Sequence, residues 1–182
     1  MRRTSKRKHI YLIGFSGSGK STVGKRLAVR RECRFVDTDK EIADRFDATV
    51  SSIFAEFGEP RFRCEETAVL NRVAGLASPV VVAVGGGGFE RAANRRMMRE
   101  SGIVVYLKCS IRELYRRLRD IDDRPLIRAG ESRLAAMKRM LAQRRPRYEE
   151  ADITVSVTSG TLQTVVDRIT KRLTEYERKN RS

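Results

Sequence analysis

Short apolar runs alternate along this chain with longer stretches whose apolar and charged residues recur at helical spacing. The run Val80–Val84 is continuously apolar, and so is the core of Ile103–Leu107. Strands that are apolar at consecutive positions are typical of a sheet covered on both faces. The pattern predicts strands at His9–Gly14, Arg34–Asp37, Val80–Gly85, Ile103–Lys108 and Ile153–Val157.

Helical patterns fill the intervals between these strands. Strands and helices that alternate with short connections favour an α/β fold, a three-layer α/β/α sandwich around a five-stranded parallel sheet. Ligands in such folds bind at the carboxyl ends of the strands. Pro146 is expected to kink or interrupt its helix. The predicted helices are Lys20–Arg31, Asp39–Arg45, Val50–Glu56, Glu59–Leu76, Glu90–Ser101, Ile111–Arg119, Glu131–Glu150 and Leu162–Glu177.

Composition narrows the class of protein. A length of 182 residues, 40% of them hydrophobic and 34% charged, fits one soluble domain with a substantial core. No apolar run approaches the ~20 residues of a bilayer span, and the basic start leads straight into the first strand, so neither a membrane partner nor an export signal is expected. Cys33, Cys64 and Cys109 cannot all pair and lack metal-ligand spacing, which favours a cytoplasmic location.

The formal net charge of +16 permits two interpretations. One is nucleic-acid binding, and the other is a solvated basic surface around a site for anionic small molecules. The arginines are spread along the chain, no RNA-binding aromatic motif accompanies them, and tryptophan is absent from the sequence. We therefore favour the second interpretation and expect no specific nucleic-acid partner.

The stretch Gly14–Ser21 fits the pattern G-x-x-x-x-G-K-[ST] between a predicted strand and a predicted helix. Its glycines let backbone N–H groups point at phosphate oxygens, and the helix start adds further donors and a partial positive charge. Lys20 can reach the terminal phosphates, and the Ser21 hydroxyl can ligate Mg²⁺. This phosphate loop (Gly14–Ser21) predicts binding of a nucleoside triphosphate.

Asp37-Thr38-Asp39 closes the second predicted strand. Side chains two residues apart on an extended backbone point the same way, so both carboxylates can face the carboxyl edge of the sheet. One can hold Mg²⁺ or its water while the other accepts a hydroxyl proton. Helix N-capping is the alternative, and the two interpretations are compatible.

Three further segments are weaker indicators when each is taken alone. Arg63 and Glu66 share a helix face, either as a surface ion pair or as a guanidinium held in place to grip an oxyanion. The four glycines Gly85–Gly88 suggest close approach of a ligand to the backbone rather than a simple turn. One of Arg144 and Arg145 can point inward, although a solvated basic face is the alternative.

Taken together and in this order, the motifs resemble those of the shikimate kinase family, relatives of the nucleoside monophosphate kinases. The matching segments are G-F-S-G-S-G-K-S-T-V-G, D-T-D, G-E-P-R-F-R-C-E-E, G-G-G, R-P-L and R-R-P-R-Y, and they span most of the chain.

The resemblance implies a role for each matching residue. The implied ATP-binding residues are Gly14, Gly17, Ser18, Gly19, Lys20, Ser21, Thr22, Arg117 and Arg124. The implied acceptor-binding residues are Asp39, Arg63, Gly85, Gly86, Gly87 and Arg144. Ser21 and Asp37, the latter through water, match the Mg²⁺ site. The implied catalytic residues are Asp39 as the base, with Lys20 and Arg124.

The resemblance implies ATP-dependent phosphorylation of the 3-hydroxyl of shikimate, with Mg²⁺ as cofactor, by a cytoplasmic monomer. We expect residues 1–182 to form one domain, with a core at about 9–177, a substrate-binding helical part at about 38–76 and a lid at about 117–130. A short basic arm and a polar tail flank the core. Two alternatives are a kinase for another small sugar acid such as gluconate, and a nucleotide-binding module with affinity for nucleic acid.

Overall fold

The predicted strands form one parallel sheet in a computed structural model, which describes residues 9–118 and 131–180. Along the chain the strands are β1 (His9–Ile13), β2 (Arg34–Asp37), β3 (Val80–Ala83), β4 (Gly102–Lys108) and β5 (Ile153–Ser156). Their order across the sheet is β2-β3-β1-β4-β5, and every neighbouring pair is parallel. The predicted five-stranded parallel sheet is therefore confirmed.

Helices pack against this sheet in the alternating order that the sequence predicts. They are α1 (Lys20–Arg30), α2 (Thr38–Phe46), α3 (Val50–Ala74), α4 (Ala92–Ser101), α5 (Ile111–Leu118), α6 (Arg133–Tyr148) and α7 (Leu162–Lys179). Every residue of β1 and β3, and all of β4 except Lys108, is buried. Strands buried at consecutive positions require cover on both faces of the sheet, as expected for the three-layer sandwich.

The element α3 contains the interruption that the sequence predicts between two helices. Gly58 has φ 75° and ψ 164°, a backbone conformation that only glycine adopts readily. Pro60 follows two residues later, at the start of the second helical part. The break turns the chain, so that the residues after it, including Arg63, run along the carboxyl edge of the sheet.

Pro146 does not interrupt its helix, in contrast to the expectation from the sequence. The helical backbone of α6 runs through Pro146 and ends at Tyr148. A proline removes one N–H donor and crowds the carbonyl four residues earlier, but α6 ends only two residues after Pro146, so little of the helix can be displaced. The proline therefore lies at the end of the helix and leaves Arg144 on regular helical backbone.

The strand order decides which loops meet. Because β3 lies between β1 and β2, the loops that follow these three parallel strands emerge side by side at one edge of the sheet. They are the phosphate loop after β1, Asp37–Asp39 after β2, and the glycines Gly85–Gly88 after β3. We call this last segment the glycine turn. No helix in residues 9–118 and 131–180 combines the length and apolarity needed to cross a bilayer.

We predict that Gly102→Ala destabilises the fold by about 3 kcal/mol. Gly102 begins β4 opposite His9, and a Cβ there would collide with the His9 carbonyl oxygen and lie 2.8 Å from the Tyr11 ring. The strand backbone cannot move aside without breaking its ladder. Urea unfolding measures the loss, and Gly75→Ala is the control, because its nearest contact would be an ordinary 3.7 Å. Equal stability of the two variants would contradict the packing assigned to Gly102.

Candidate active site

The phosphate loop leaves the start of α1 open to an anion. Gly17 and Gly19 have φ of 78° and 91°, in the left-handed region that lets the loop curl. Gly19 caps α1 without any side-chain hydrogen bond, and the first turn of the helix carries no acidic residue. Uncapped N–H groups and the positive end of a helix dipole form a binding site for phosphate.

Lys20 lies across the phosphate loop. Its Nζ donates to the carbonyl oxygens of Gly14, at 2.9 Å, and Phe15, at 3.1 Å. The ammonium group is thereby held at the loop, beside the N-terminus of α1. Thr22 follows in the first turn of α1, and Ser18 is buried within the loop.

Ser21 and Asp37 provide neighbouring oxygen atoms. The Ser21 hydroxyl donates to Asp37 Oδ2 at 2.6 Å, while Asp37 Oδ1 accepts from the Lys40 N–H at 3.2 Å and caps α2. Asp37 therefore caps α2, while its second oxygen atom lies beside the Ser21 hydroxyl. The described residues contain no group of three acidic, His or Cys side chains that could hold a metal. A hydroxyl plus one carboxylate fits Mg²⁺, whose remaining ligands in nucleotide sites are phosphates and water.

The glycine turn is the meeting point of the other candidate residues. A Cβ at Gly85 would overlap the carboxylates of Asp39 and Glu66, and one at Gly87 would overlap the guanidinium of Arg63. At Gly86 it would lie 3.3 Å from Arg144 Nη1. Only residues without a side chain allow these approaches. The structure thus brings Asp39, Arg63 and Arg144 together on three successive glycines.

Arg63 is only slightly exposed and is held by two carboxylates. Its guanidinium donates to Glu66 Oε2 at 2.9 Å and to Glu59 Oε1 at 3.0 Å, and only 13% of the side chain is exposed. The group also lies over the rings of Phe54 and Phe62, at 5.7 and 5.5 Å from their centroids. A surface ion pair, the alternative interpretation of this motif, is therefore wrong. The pair holds Arg63 in a single position against the turn.

Glu66 is a buried carboxyl close to Arg63 and Asp39. Its side chain is fully buried, and no described residue donates a hydrogen bond to Oε1. Burial raises the pKa of the carboxyl to about 6, with Arg63 opposing the rise and Asp39 adding to it. The Glu66 carboxyl is therefore harder to ionise than an exposed one, and its ion pair with Arg63 offsets part of the effect of burial.

Arg144 and Arg145 have opposite environments. Arg144 is half-buried, contacts Gly86, and lies 5.9 Å from the centre of the Phe15 ring. No carboxylate in the described ranges forms an ion pair with it. Arg145 is exposed and pairs with Glu149 at 2.7 Å. Of the two adjacent arginines, Arg144 is the one that faces the glycine turn. Burial raises the pKa of the nearby Glu90 carboxyl, and the charge of Arg144 opposes that rise.

Arg117 links the phosphate loop to the end of β5. Its guanidinium donates to the carbonyl oxygens of Gly17, at 3.3 Å, and Val157, at 3.2 Å, and to Glu113 at 2.7 Å. This places it beside the loop, as the sequence predicts for a residue of the nucleotide site. Arg124 and residues 119–130 of the predicted lid lie outside the described residues.

Comparisons with known proteins agree on one family. The family model of shikimate kinase matches residues 16–174. A shikimate kinase of Cereibacter sphaeroides is 38% identical over 92% of this chain and 83% of its own length. The chain belongs to the shikimate kinase family. A shikimate kinase of Thiobacillus denitrificans is 42% identical over 83% of this chain and 82% of its own length.

Solved structures of the shikimate kinase family share this fold. A shikimate kinase from Acinetobacter baumannii in complex with shikimate has a TM-score of 0.87 and 34% identity, over 93% of this chain and 94% of that one. A gluconokinase from Sinorhizobium meliloti has a TM-score of 0.57 at 21% identity, over 92% of this chain and 96% of that one, which shows a common fold alone. The fold class that the sequence predicts, including its likeness to P-loop kinases, is confirmed.

The sequence did not indicate some of the residues that bind the glycine turn or Arg63. The Thr38 hydroxyl accepts from the Gly85 N–H at 2.8 Å, and the Tyr148 hydroxyl donates to the Gly86 carbonyl. Thr38 lies within Asp37-Thr38-Asp39 and Tyr148 within R-R-P-R-Y, but the sequence indicated roles only for other residues of these motifs. Glu59 precedes Pro60, a pattern typical of a helix start. Only the fold shows that Glu59 is the second partner of Arg63.

We predict that Arg63→Met destabilises the protein by roughly 3 kcal/mol at pH 8 and by clearly less at pH 5. The methionine keeps the apolar stem but leaves Glu66 buried without its cation. A carboxyl whose pKa is higher in the folded state than in the unfolded state destabilises the fold as the pH rises, because it must then ionise in its buried position. Urea unfolding at the two pH values measures this. Arg61→Met, at an exposed partner of Glu65, is the control, and an equal loss at both pH values would contradict the assignment.

Proposed function

We propose that this chain transfers the γ-phosphoryl group of ATP to the 3-hydroxyl of shikimate, yielding ADP and shikimate 3-phosphate. The observation that carries the proposal is the convergence of Asp39, Arg63 and Arg144 on the glycine turn, beside the phosphate loop. Together these residues supply a proton acceptor and two guanidinium groups. An acceptor molecule that fits them carries a hydroxyl and an anionic group, and the family membership supports shikimate as that molecule.

The acceptor site consists of Asp39, Arg63, Arg144 and the glycine turn Gly85–Gly88. Its two guanidinium groups come from separate helices, α3 and α6, so they can grip a carboxylate from two directions. Arg63 is fixed by ion pairs with Glu59 and Glu66, whereas Arg144 forms no ion pair with a described carboxylate and acts on the Glu90 carboxyl only by opposing the rise in its pKa. A substrate carboxylate would give Arg144 a direct ionic partner, and its capture would orient the hydroxyl toward Asp39.

The nucleotide site consists of the phosphate loop with Thr22 and Arg117. The N–H groups of the loop and of the first turn of α1 would bind the phosphates, and Lys20 would exchange its two carbonyl partners for phosphate oxygens. Ser21 and Asp37 would hold Mg²⁺, which when bound neutralises phosphate charge. Arg124 remains a predicted ATP contact.

In the reaction, the 3-hydroxyl oxygen forms a bond to the γ-phosphorus as the bond from that phosphorus to the β,γ-bridging oxygen breaks. The hydroxyl proton passes to the Asp39 carboxylate, and ADP leaves with the bridging oxygen. The transferring group needs little covalent help, so the protein acts mainly by alignment and charge stabilisation. Lys20 would stabilise charge on the phosphates as it develops.

We also propose that residues 1–182 form a single domain acting as a cytoplasmic monomer, since the described acceptor and nucleotide sites come together within one chain. Size-exclusion chromatography with light scattering tests the oligomeric state. A mass near twice the 20.8 kDa of one chain would reject the monomer.

The substrate is tested by ADP release with ATP and Mg²⁺ in the presence of shikimate, of gluconate, or of neither. We expect release only with shikimate, and none from Lys20→Met, because that change removes the positive charge at the phosphates. Preference for gluconate would indicate the sugar-acid alternative. Tight RNA binding without phosphorylation of either acid would indicate the nucleic-acid alternative.

We predict that Arg144→Ala raises the KM for shikimate by roughly 30-fold or more, equivalent to about 2 kcal/mol. The variant removes the unpaired charge that faces the glycine turn. Arg145→Ala, at the exposed neighbour, removes the same charge from the sequence and should leave this KM within about twofold. Initial rates at varied shikimate and saturating ATP measure both. Similar KM values for the two variants would contradict the role of Arg144.

We predict that Asp39→Asn lowers kcat by about 10²-fold or more and leaves the KM for ATP nearly unchanged. The amide keeps the shape of the side chain but cannot accept the hydroxyl proton. Asp44→Asn on the same helix is the control, because Asp44 is exposed and pairs with Lys40. Steady-state kinetics of both variants measure the effect. A kcat like that of the parent would show that Asp39 is not the base.

A further inference from the structure

The glycine turn is held by its carbonyl groups. Within the turn, the Gly88 N–H donates to Gly85 and the Glu90 N–H donates to Gly87, each at 3.0 Å, and the Tyr148 hydroxyl donates to Gly86. The next carbonyl group, that of Gly88, accepts from Asn94 Nδ2 at 3.0 Å. The N–H groups of Gly86 and Gly87 take no part in these bonds. The carbonyls of all four glycines therefore accept hydrogen bonds, which fixes the backbone of the turn.

Two side chains of α4 hold the end of this segment. Asn94 binds the Gly88 carbonyl, and Arg95 Nη1 donates to the carbonyls of Phe89, at 3.1 Å, and Glu90, at 2.6 Å. Arg95 also pairs with Glu150 at 3.2 Å, which ties it to the end of α6. The first turns of α4 therefore fix the path of the chain from Gly88 to Glu90.

Asn94 is an unexpected residue for its position. It is fully buried, and its Oδ1 has no hydrogen-bond partner among the described residues. A buried amide whose oxygen accepts no hydrogen bond lowers the stability of the fold. An apolar side chain avoids that loss, as at the buried Met98 one helical turn further on. Asn94 donates one specific hydrogen bond, to the Gly88 carbonyl. We attribute the presence of a buried amide at this position to that bond.

The position of the turn sets the geometry of the acceptor site. Gly86 contacts Arg144, Gly87 contacts Arg63, and a Cβ at Gly88 would lie 2.8 Å from Glu66 Oε1. A turn released at Gly88 would move relative to both guanidinium groups at once. Asn94 itself is fully buried, and its amide binds the Gly88 carbonyl.

We infer that Asn94 is a positioning residue of the acceptor site, which acts by holding the Gly88 carbonyl and thereby the contacts of Gly86 and Gly87 with the two arginines. The inference rests on the proposed function for its kinetic consequence, but the physical claim concerns the turn alone. Loss of the bond should weaken capture of the acceptor carboxylate and leave the nucleotide site unaffected.

The test compares Asn94→Ala and Asn94→Asp with the parent. Alanine removes the donor, and aspartate also places a second oxygen against the Gly88 carbonyl. We expect the KM for shikimate to rise about tenfold in both, the KM for ATP to stay within twofold, and the amides of residues 85–90 to exchange with deuterium faster. Met98→Ala is the control, because it opens a cavity in the same helix without touching the turn. It should lower Tm and leave the KM for shikimate unchanged.

Either of two results would overturn the inference: an unchanged KM for shikimate in the Asn94 variants, or equal rises in both KM values accompanied by the same behaviour in Met98→Ala. If Asn94→Ala does not fold, Asn94→Ser, which fills more of the space but cannot span the 3.0 Å bond in the same way, is judged by the same criteria. If the parent fails to phosphorylate shikimate, the proposed function is wrong, and hydrogen exchange of the turn alone decides the role of Asn94.

Discussion

The absence of Cβ atoms from the turn after β3 is the constraint on which the site depends. Three parts of the chain, α2 with Asp39, α3 with Arg63 and α6 with Arg144, reach within contact distance of one short segment of backbone. Any side chain at Gly85 or Gly87 would occupy space that a carboxylate or a guanidinium now fills. The sheet order makes the arrangement possible, because β3 lies between the strands that carry the phosphate loop and the Asp37–Asp39 motif. The proposed phosphate-donor and acceptor sites thus share a single edge of the sheet.

Charge is divided between the two arginines of the acceptor site. Arg63 is neutralised within the protein by Glu59 and by the buried Glu66, and this pairing gives it a fixed position at the expense of available charge. Arg144 lies against Phe15 and Gly86 and forms no ion pair with a described carboxylate. In the proposed function, Arg63 therefore contributes mainly geometry and Arg144 contributes electrostatic attraction. The formal charge of +16 adds a long-range field that attracts anions such as ATP and a carboxylate acceptor.

Much of this arrangement could be predicted from local patterns in the sequence. Continuous apolar runs indicate the buried parallel strands, Gly58 with Pro60 indicates the break in α3, and the spacing around Lys20 indicates the phosphate loop. Local pattern alone left open whether Arg144 or Arg145 points inward, and only the family resemblance selected Arg144, because the choice depends on the rotation of α6 relative to a turn far earlier in the chain. Asn94 was missed for a similar reason. Its bond to Gly88 joins a helix to a loop, and nothing in the polar stretch around it distinguishes it from solvent-facing neighbours.

The most direct test of the central claim is a crystal structure of the protein with ADP, Mg²⁺ and shikimate. The account predicts that the shikimate carboxylate lies within hydrogen-bonding distance of both Arg63 and Arg144. Its 3-hydroxyl should lie at the Asp39 carboxylate and point toward the terminal phosphate position above Lys20. Shikimate bound away from the glycine turn, or with its carboxylate contacting neither arginine, would contradict the account.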